Sequence, residues 1–255
     1  MKNLKLAAVC LSCLTMTGCS ALNFSVEGLI NAPKLTSEQS EIHQALIESV
    51  GSNITLKYPK NGEYRSAYVI ANIDDEPTDE AMVFYEYTSN GSEEDGLRVN
   101  ILDKDEDGKW YSVKELAGAG TDIDQVIISP MGSNNQTDVF VGYQNLTNDE
   151  KTMEIYSYTD GDFKRVALDT YSVLEPLDIN NDGYIELITI QRSTNNDTGA
   201  VTAKASMLNM KNNEITRGEN VDMCDNVTSY VSSKTGMLDS GRRAIFIDGL
   251  NADGK

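Results

Sequence analysis

Asp178-Ile179-Asn180-Asn181-Asp182-Gly183-Tyr184-Ile185-Glu186 carries oxygen-bearing side chains at its first, third, fifth and ninth positions, with glycine sixth, where the chain must turn sharply. Alternate positions of such a loop converge on one point, so several carboxylate and amide oxygens can surround a hard cation of the calcium type. Asp178, Asn180, Asp182 and Glu186 are therefore candidate metal-holding residues. An EF-hand opens in the same way but requires glutamate at its twelfth position. That position is Thr189, inside Leu187 to Ile190, which reads as strand, so the EF-hand is the wrong motif. The competing reading is an Asx-type turn between strands, with no metal.

Related loops recur in other states of repair. Asn72-Ile73-Asp74-Asp75-Glu76-Pro77-Thr78-Asp79-Glu80 keeps oxygens on Asn72, Asp74, Glu76 and Glu80 at the same spacing, but Pro77 stands where glycine belongs. Proline cannot take positive φ, so this is the weaker of the two metal candidates. Ser129 to Asp138 has lost its acids almost entirely and reads as a connection only. Asp103, Asp105 and Asp107 with Gly108 imitate the motif, yet the ninth position is Tyr111; a plain hairpin turn is the better reading.

Catalytic groupings are harder to find. With 40 Asp and Glu residues, carboxylate pairs of the kind that cleave glycosides are inevitable by number alone. His43 is the only histidine, which excludes multi-histidine metal sites and leaves a Ser-His-Asp arrangement to depend on one short helix. No P-loop is present, and Gly118-Ala119-Gly120 is more simply a flexible turn than a nucleotide fingerprint. The pattern favours binding over catalysis, with a hydrolase of cell-wall or extracellular polysaccharide as the alternative. A net charge of -19 repels phosphate backbones and argues against nucleic acid as a partner. Hydrophobic residues at 40% suffice for a packed core.

The elements that must hold these loops begin after a leader. Lys2 and Lys5 precede an apolar run from Leu6 to Leu14, and Met16-Thr17-Gly18-Cys19 closes it with small residues before a cysteine. The run is shorter than the roughly 20 residues a spanning helix needs and has no polar face, so 1–18 reads as a secretory signal. Its ending resembles the lipobox of bacterial lipoproteins, which implies that Cys19 becomes the first mature residue and carries lipid, placing the protein outside the cytoplasm on the membrane. Simple secretion is the second reading. Cys10 and Cys13 leave with the signal, so Cys224 is the lone remaining thiol and no internal disulfide can form; a small buried residue is the expected role.

Residues 19–36 lack periodicity and read as a tether. Thr36 with Gln39 forms a capping box, Ile42, Ala45, Leu46 and Val50 recur at helical spacing, and Gly51 stops the pattern, predicting one short amphipathic helix over 37–51. From 52 to 255 the pattern is short strands rich in Val, Ile, Tyr and Phe, bounded by Gly, Asn, Asp and Pro. No long helical pattern alternates with them, which disfavours a parallel α/β sheet. Glu80 to Phe84, Asp138 to Val141, Glu186 to Ile190 and Ala244 to Ile247 look like copies of one strand at intervals of roughly 50–60 residues. Hairpin turns at Asp105 to Gly108, Asp160-Gly161-Asp162 and Lys211-Asn212-Asn213 follow the first three copies. The expectation is an all-β, β-propeller-like repeat of short antiparallel sheets, with one N-terminal helix. The fourth copy begins near the end of the sequence, so the repeat is expected to be incomplete through C-terminal truncation, or closed by a strand such as Ile54 to Tyr58.

Asp178 to Leu187 resembles the calcium loop of FG-GAP or VCBS-type repeats, the propeller units of integrin α chains and many bacterial surface proteins. The larger pattern of lipobox, tether and short helix is similar to that of bacterial VCBS-repeat lipoproteins. So are Tyr58-Pro59, Gly62 to Ala67, Glu80 to Tyr85 and Gly118-Ala119-Gly120. This resemblance implies calcium held by the side chains of Asp178, Asn180, Asp182 and Glu186 and by the carbonyl of Tyr184. It also implies a binding or scaffold domain for an extracellular polysaccharide or a surface protein, although fold-level likeness does not name the partner.

Overall fold

The computed structural model describes residues 35–88, 96–131, 136–145, 150–179, 181–194, 197, 201–211, 214–223 and 227–251. Cys19, Asn180 and Cys224 lie outside these residues, as do the leader and most of the tether. The chain divides into two units, Met1–Ser40 and Glu41–Lys255, and every sheet belongs to the second.

One helix stands among the described residues, α1 (Ser37–Val50). Its start is fixed reciprocally: the Gln39 amide donates to Thr36 Oγ1 at 3.1 Å, and the Thr36 amide donates to Gln39 Oε1 at 3.1 Å. Its end is set by Gly51, which takes φ +85° and returns its N–H to the Ile47 carbonyl at 2.9 Å.

Everything after α1 is antiparallel. The first sheet comprises β1 (Ile54–Leu56), β2 (Tyr68–Ala71), β3 (Glu80–Tyr87), β4 (Leu97–Lys104) and β5 (Trp110–Ala117). Here β1 and β2 share one edge of β3, and β4 and β5 continue from the other. The second sheet runs in chain order through β6 (Asp122–Ser129), β7 (Asp138–Gln144), β8 (Lys151–Thr159) and β9 (Asp162–Tyr171). The third runs through β10 (Val173–Leu177), β11 (Glu186–Thr194), β12 (Val201–Lys211) and β13 (Glu214–Arg217), with β14 (Val221–Asp222) also on β12. The last is a hairpin of β15 (Val227–Met237) and β16 (Arg243–Asn251). The protein is thus mostly β, in several small antiparallel sheets, none closed on itself.

The four strands singled out as copies are β3, β7, β11 and β16. Each pairs with the strand just before it in the chain. Two of the expected hairpin turns form, whereas Asn212 and Asn213 of the third lie outside the described residues. Asp160 and Gly161 both take positive φ, 55° and 76°, between the paired Thr159 and Asp162, the conformation that lets a two-residue turn follow strand twist. Asp105 Oδ1 accepts the amides of Asp107 and Lys109 at 3.0 and 2.9 Å, so Asp105 to Gly108 is a hairpin turn joining β4 to β5. The proposed closing strand at 54–58 is not at the last sheet: β1 pairs with β3, Ile54 opposite Tyr87.

Strands β3 and β7 read as nearly continuous apolar runs because both faces of their sheets are covered. Met82 and Phe84 of β3 pack with Val139, Val141 and Tyr143 of β7 between the first and second sheets. On the opposite face, Ala81, Val83 and Tyr85 meet Ile42, Ala45 and Leu46 of α1. Phe140, Met153 and Ile155 of the second sheet turn the other way, onto Leu187, Leu208 and Met210 of the third. The order of layers is α1, first sheet, second sheet, third sheet. Alternation along each strand assigns neighbouring residues to opposite interfaces.

Candidate functional site

Three of these strand pairs are joined by loops of one length. Ala71 pairs with Glu80, Ser129 with Asp138 and Leu177 with Glu186, so each loop closes eight residues. Each is also clasped in one way: a carboxylate at the first residue of the returning strand reaches back to an amide seven residues earlier. Glu80 Oε2 accepts from Ile73 at 2.8 Å, Asp138 Oδ2 from Met131 at 3.0 Å and Glu186 Oε2 from Ile179 at 2.9 Å. Sequence reasoning passed over Asp138, taking 129–138 for a bare connection. The carboxylate there is buried and also takes the Ser157 hydroxyl. The signal available was the recurrence of an acid before an apolar run, separated by eight residues from the end of the previous strand.

The 178–186 loop has the conformation that its spacing requires. Asp178 heads it, with Oδ1 accepting the Asp182 amide at 3.2 Å and Oδ2 the Gly183 amide at 3.1 Å. Asp182 Oδ1 accepts the Tyr184 amide at 2.9 Å. Asn181 and Gly183 take φ of 61° and 89°, which lets the chain curl around its own carboxylates; Gly183 does so at no steric cost. The result gathers Asp178, Asp182, the Tyr184 backbone and Glu186 along one short loop, while Asn180 lies outside the described residues. Among the described residues no three acidic, histidine or cysteine side chains already stand as a preformed metal cluster. The donor set of three carboxylates, a side-chain amide and a carbonyl nevertheless suits a hard divalent cation, as does the curled backbone.

The 72–80 loop is built differently. Asn72 Nδ2 donates to the carbonyls of Glu76 at 2.5 Å and Thr78 at 3.0 Å, so a side-chain donor ties the fifth and seventh loop carbonyls. Asp74 Oδ1 accepts the Glu76 amide at 2.7 Å. Asp103, from β4, stands close enough to act electrostatically on both Asp74 and Glu80. Glu80 is 1% exposed and its Oε1 has no hydrogen-bond partner. Burial first, and then the charges of Asp74 and Asp103, push its carboxyl up from 4.5 to about 7.

Because the folded value is the raised one, Glu80 favours the fold most below about 4.5 and loses that contribution as the pH climbs through about 7. Denaturant midpoints of the wild type should therefore fall across this interval, and Glu80→Gln should flatten that part of the profile. An unchanged slope in the variant would contradict the assignment.

Other buried acids are engaged in hydrogen bonds. Glu154 Oε1 meets Arg165 Nη1 at 2.5 Å and its Oε2 accepts the Tyr156 hydroxyl at 2.6 Å. Asp124 meets Asn61, Lys151 and Tyr171. His43 stands 2.8 Å from the Tyr68 hydroxyl by Nδ1, tying α1 to the first sheet.

No family model matches the chain, and searches of curated proteins and of solved structures find no match either. Fold and loops together describe serial antiparallel sheets, three of which carry a hairpin clasped by a carboxylate.

Proposed function

We propose that this chain is a lipid-anchored, extracytoplasmic calcium-binding module of the FG-GAP/VCBS type, serving as a binding or scaffold domain for an extracellular polymer or surface protein. The observation that carries this reading is the 178–186 hairpin loop, clasped as its two counterparts are but alone in presenting acids at the first and fifth positions with a positive-φ glycine at the sixth. Asp178, Asn180, Asp182 and Glu186 hold the ion by side chains and Tyr184 by its carbonyl. The ion neutralises carboxylates that otherwise repel one another across a loop of nine residues. At 72–80 the Asn72 amide is committed to the carbonyls of Glu76 and Thr78, which makes that loop the weaker candidate.

The sheets are the blades of a propeller-like stack. The second carries four strands in simple succession, the first and third five each, and α1 covers the outer face of the first. A binding role agrees with the engagement of Asp124, Asp138 and Glu154 in hydrogen bonds within the fold. The net charge of -19 speaks against nucleic acid. Among the described residues no helix is long and apolar enough to cross a membrane, and the anchor is the lipid on Cys19. Cys19→Ala should leave the protein unlipidated and unable to partition into detergent. Wild-type protein found wholly in the medium, starting beyond residue 19, would refute the anchor.

Calcium is the direct test of the site. At about a hundredfold over its dissociation constant a ligand adds roughly 2.7 kcal/mol to apparent stability. Calcium should therefore raise the melting temperature by several degrees. Magnesium at the same concentration should not, because it dehydrates reluctantly and demands a tighter octahedron. Asp182→Ala should abolish most of the gain, whereas Asp107→Ala, in the β4–β5 turn, should keep it. Equal calcium responses in wild type and Asp182→Ala would show the loop to be only a turn.

A further inference from the structure

The fourth entry hairpin departs from the other three at one telling position. Met237 pairs with Arg243, so its loop closes only five residues, and the returning strand β16 begins with arginine where β3, β7 and β11 begin with Glu80, Asp138 and Glu186. The side chain does not clasp its own loop. Arg243 Nη1 instead donates to the main-chain carbonyl of Asp178 at 2.6 Å, the residue that heads the 178–186 loop. A cationic group thus sits on the backbone of a loop whose other charges, Asp178, Asp182 and Glu186, are all negative.

The hairpin it belongs to is lightly held. Strands β15 and β16 pair only with each other among the described residues. A cavity of about 270 Å³, lined by Leu177, Thr235, Gly236, Met237 and Arg243, lies between this hairpin and the end of β10. Met237, Phe246 and Leu250 remain 63%, 40% and 38% exposed. A charge-assisted hydrogen bond therefore matters more here than it would in the tightly packed sheets upstream.

We propose that Arg243 is a built-in competitor of the cation at 178–186, so that filling the loop loosens the last hairpin and the hairpin, when docked, weakens cation binding. This rests on the calcium reading of the loop. With the loop empty, three carboxylates attract the guanidinium. With a divalent ion bound, most of that charge is cancelled and the ion itself repels Arg243. The carbonyl that Arg243 holds is not among the expected metal ligands, so the two do not exclude each other sterically; their antagonism is electrostatic. Linkage makes it reciprocal: whatever docking of Arg243 costs the cation, the cation costs docking.

Calcium chloride titrated calorimetrically into the mature protein and into Arg243→Gln tests this. At low salt the variant should bind about three- to tenfold tighter, and the difference should shrink at about 0.5 M salt as screening grows. Arg243→Lys, which keeps the charge, should stay near wild type. Hydrogen exchange of β15–β16 amides should quicken on adding calcium to wild type and not in Arg243→Gln. Equal or weaker binding by Arg243→Gln would overturn the role of Arg243 while leaving the site intact. Absence of a calcium heat in both proteins would remove the site itself and this inference with it.

Discussion

Leu46→Ala is expected to lower the unfolding free energy by about 2–5 kcal/mol, the range for removing a buried leucine where the surroundings relax only in part. Leu46 is fully buried, with Ile42 and Ala45 beside it, against Ala81, Val83 and Tyr85 of the first sheet. These residues form the outer face of the series of sheets, and α1 is what covers it. The larger perturbation is Leu46→Asp, which puts a charge at that contact. The helix should then leave the sheet, and the uncovered face should drive self-association, visible as a rise in mass by light scattering. Glu48→Ala, on the same helix but at an exposed position, should change stability by less than about 0.5 kcal/mol. Equal denaturant midpoints for Leu46→Ala and Glu48→Ala would show that α1 is not part of the core.

Asp124→Ala should cost about 3–5 kcal/mol, because it removes one partner of a buried charged network and strands the others. Asp124 is 1% exposed and sits at a bulge of β6, where Ile123 and Gln125 keep their partners on β7 and the residue between them is squeezed out of register. Its Oδ1 takes Asn61 Nδ2 and Lys151 Nζ, both at 2.8 Å, and its Oδ2 takes the Tyr171 hydroxyl at 2.7 Å. Burial and this carboxylate push the Tyr171 phenol far above its ordinary range. Gly142 completes the arrangement, since any side chain there would collide with the Tyr171 oxygen. Lys151 retains access to water, which places the expected loss toward the lower end of the range. In a Tyr171→Phe background the effect of Asp124→Ala should shrink, and strict additivity of the two would contradict the network.

Much of the strand pattern was readable because apolar β-branched and aromatic residues between Gly, Asn and Asp leave little choice of element. Turn chemistry such as Asp160-Gly161 then fixes the register. What escaped the sequence were strands whose residues do not advertise burial. Within β15, Val227 to Met237 is mostly Ser, Thr, Lys and Gly and was not singled out as a strand, yet it pairs along β16. Strand β10 contains Pro176, tolerable because β10 is an edge strand that, among the described residues, makes no ladder on its other side. At the loops, side-chain spacing pointed to oxygen ligands but not to the clasp that all three share. That clasp uses one carboxylate oxygen and a distant amide, a pairing that exists only once the hairpin has closed. Nor did spacing reveal that Asn72 would tie two carbonyls of its own loop, since asparagine at a first position can present either oxygen or nitrogen. Arg243 was invisible for the same reason: its partner is a main-chain oxygen 65 residues away.

A crystal structure of the mature protein grown in millimolar calcium addresses the central claim most directly. The account predicts an anomalous peak inside the 178–186 loop, ringed at about 2.3–2.6 Å by oxygens of Asp178, Asn180, Asp182, Glu186 and the Tyr184 carbonyl, and no such peak at 72–80. A 178–186 loop free of metal under those conditions, with Asp178 still holding the Asp182 and Gly183 amides and nothing else, would contradict it.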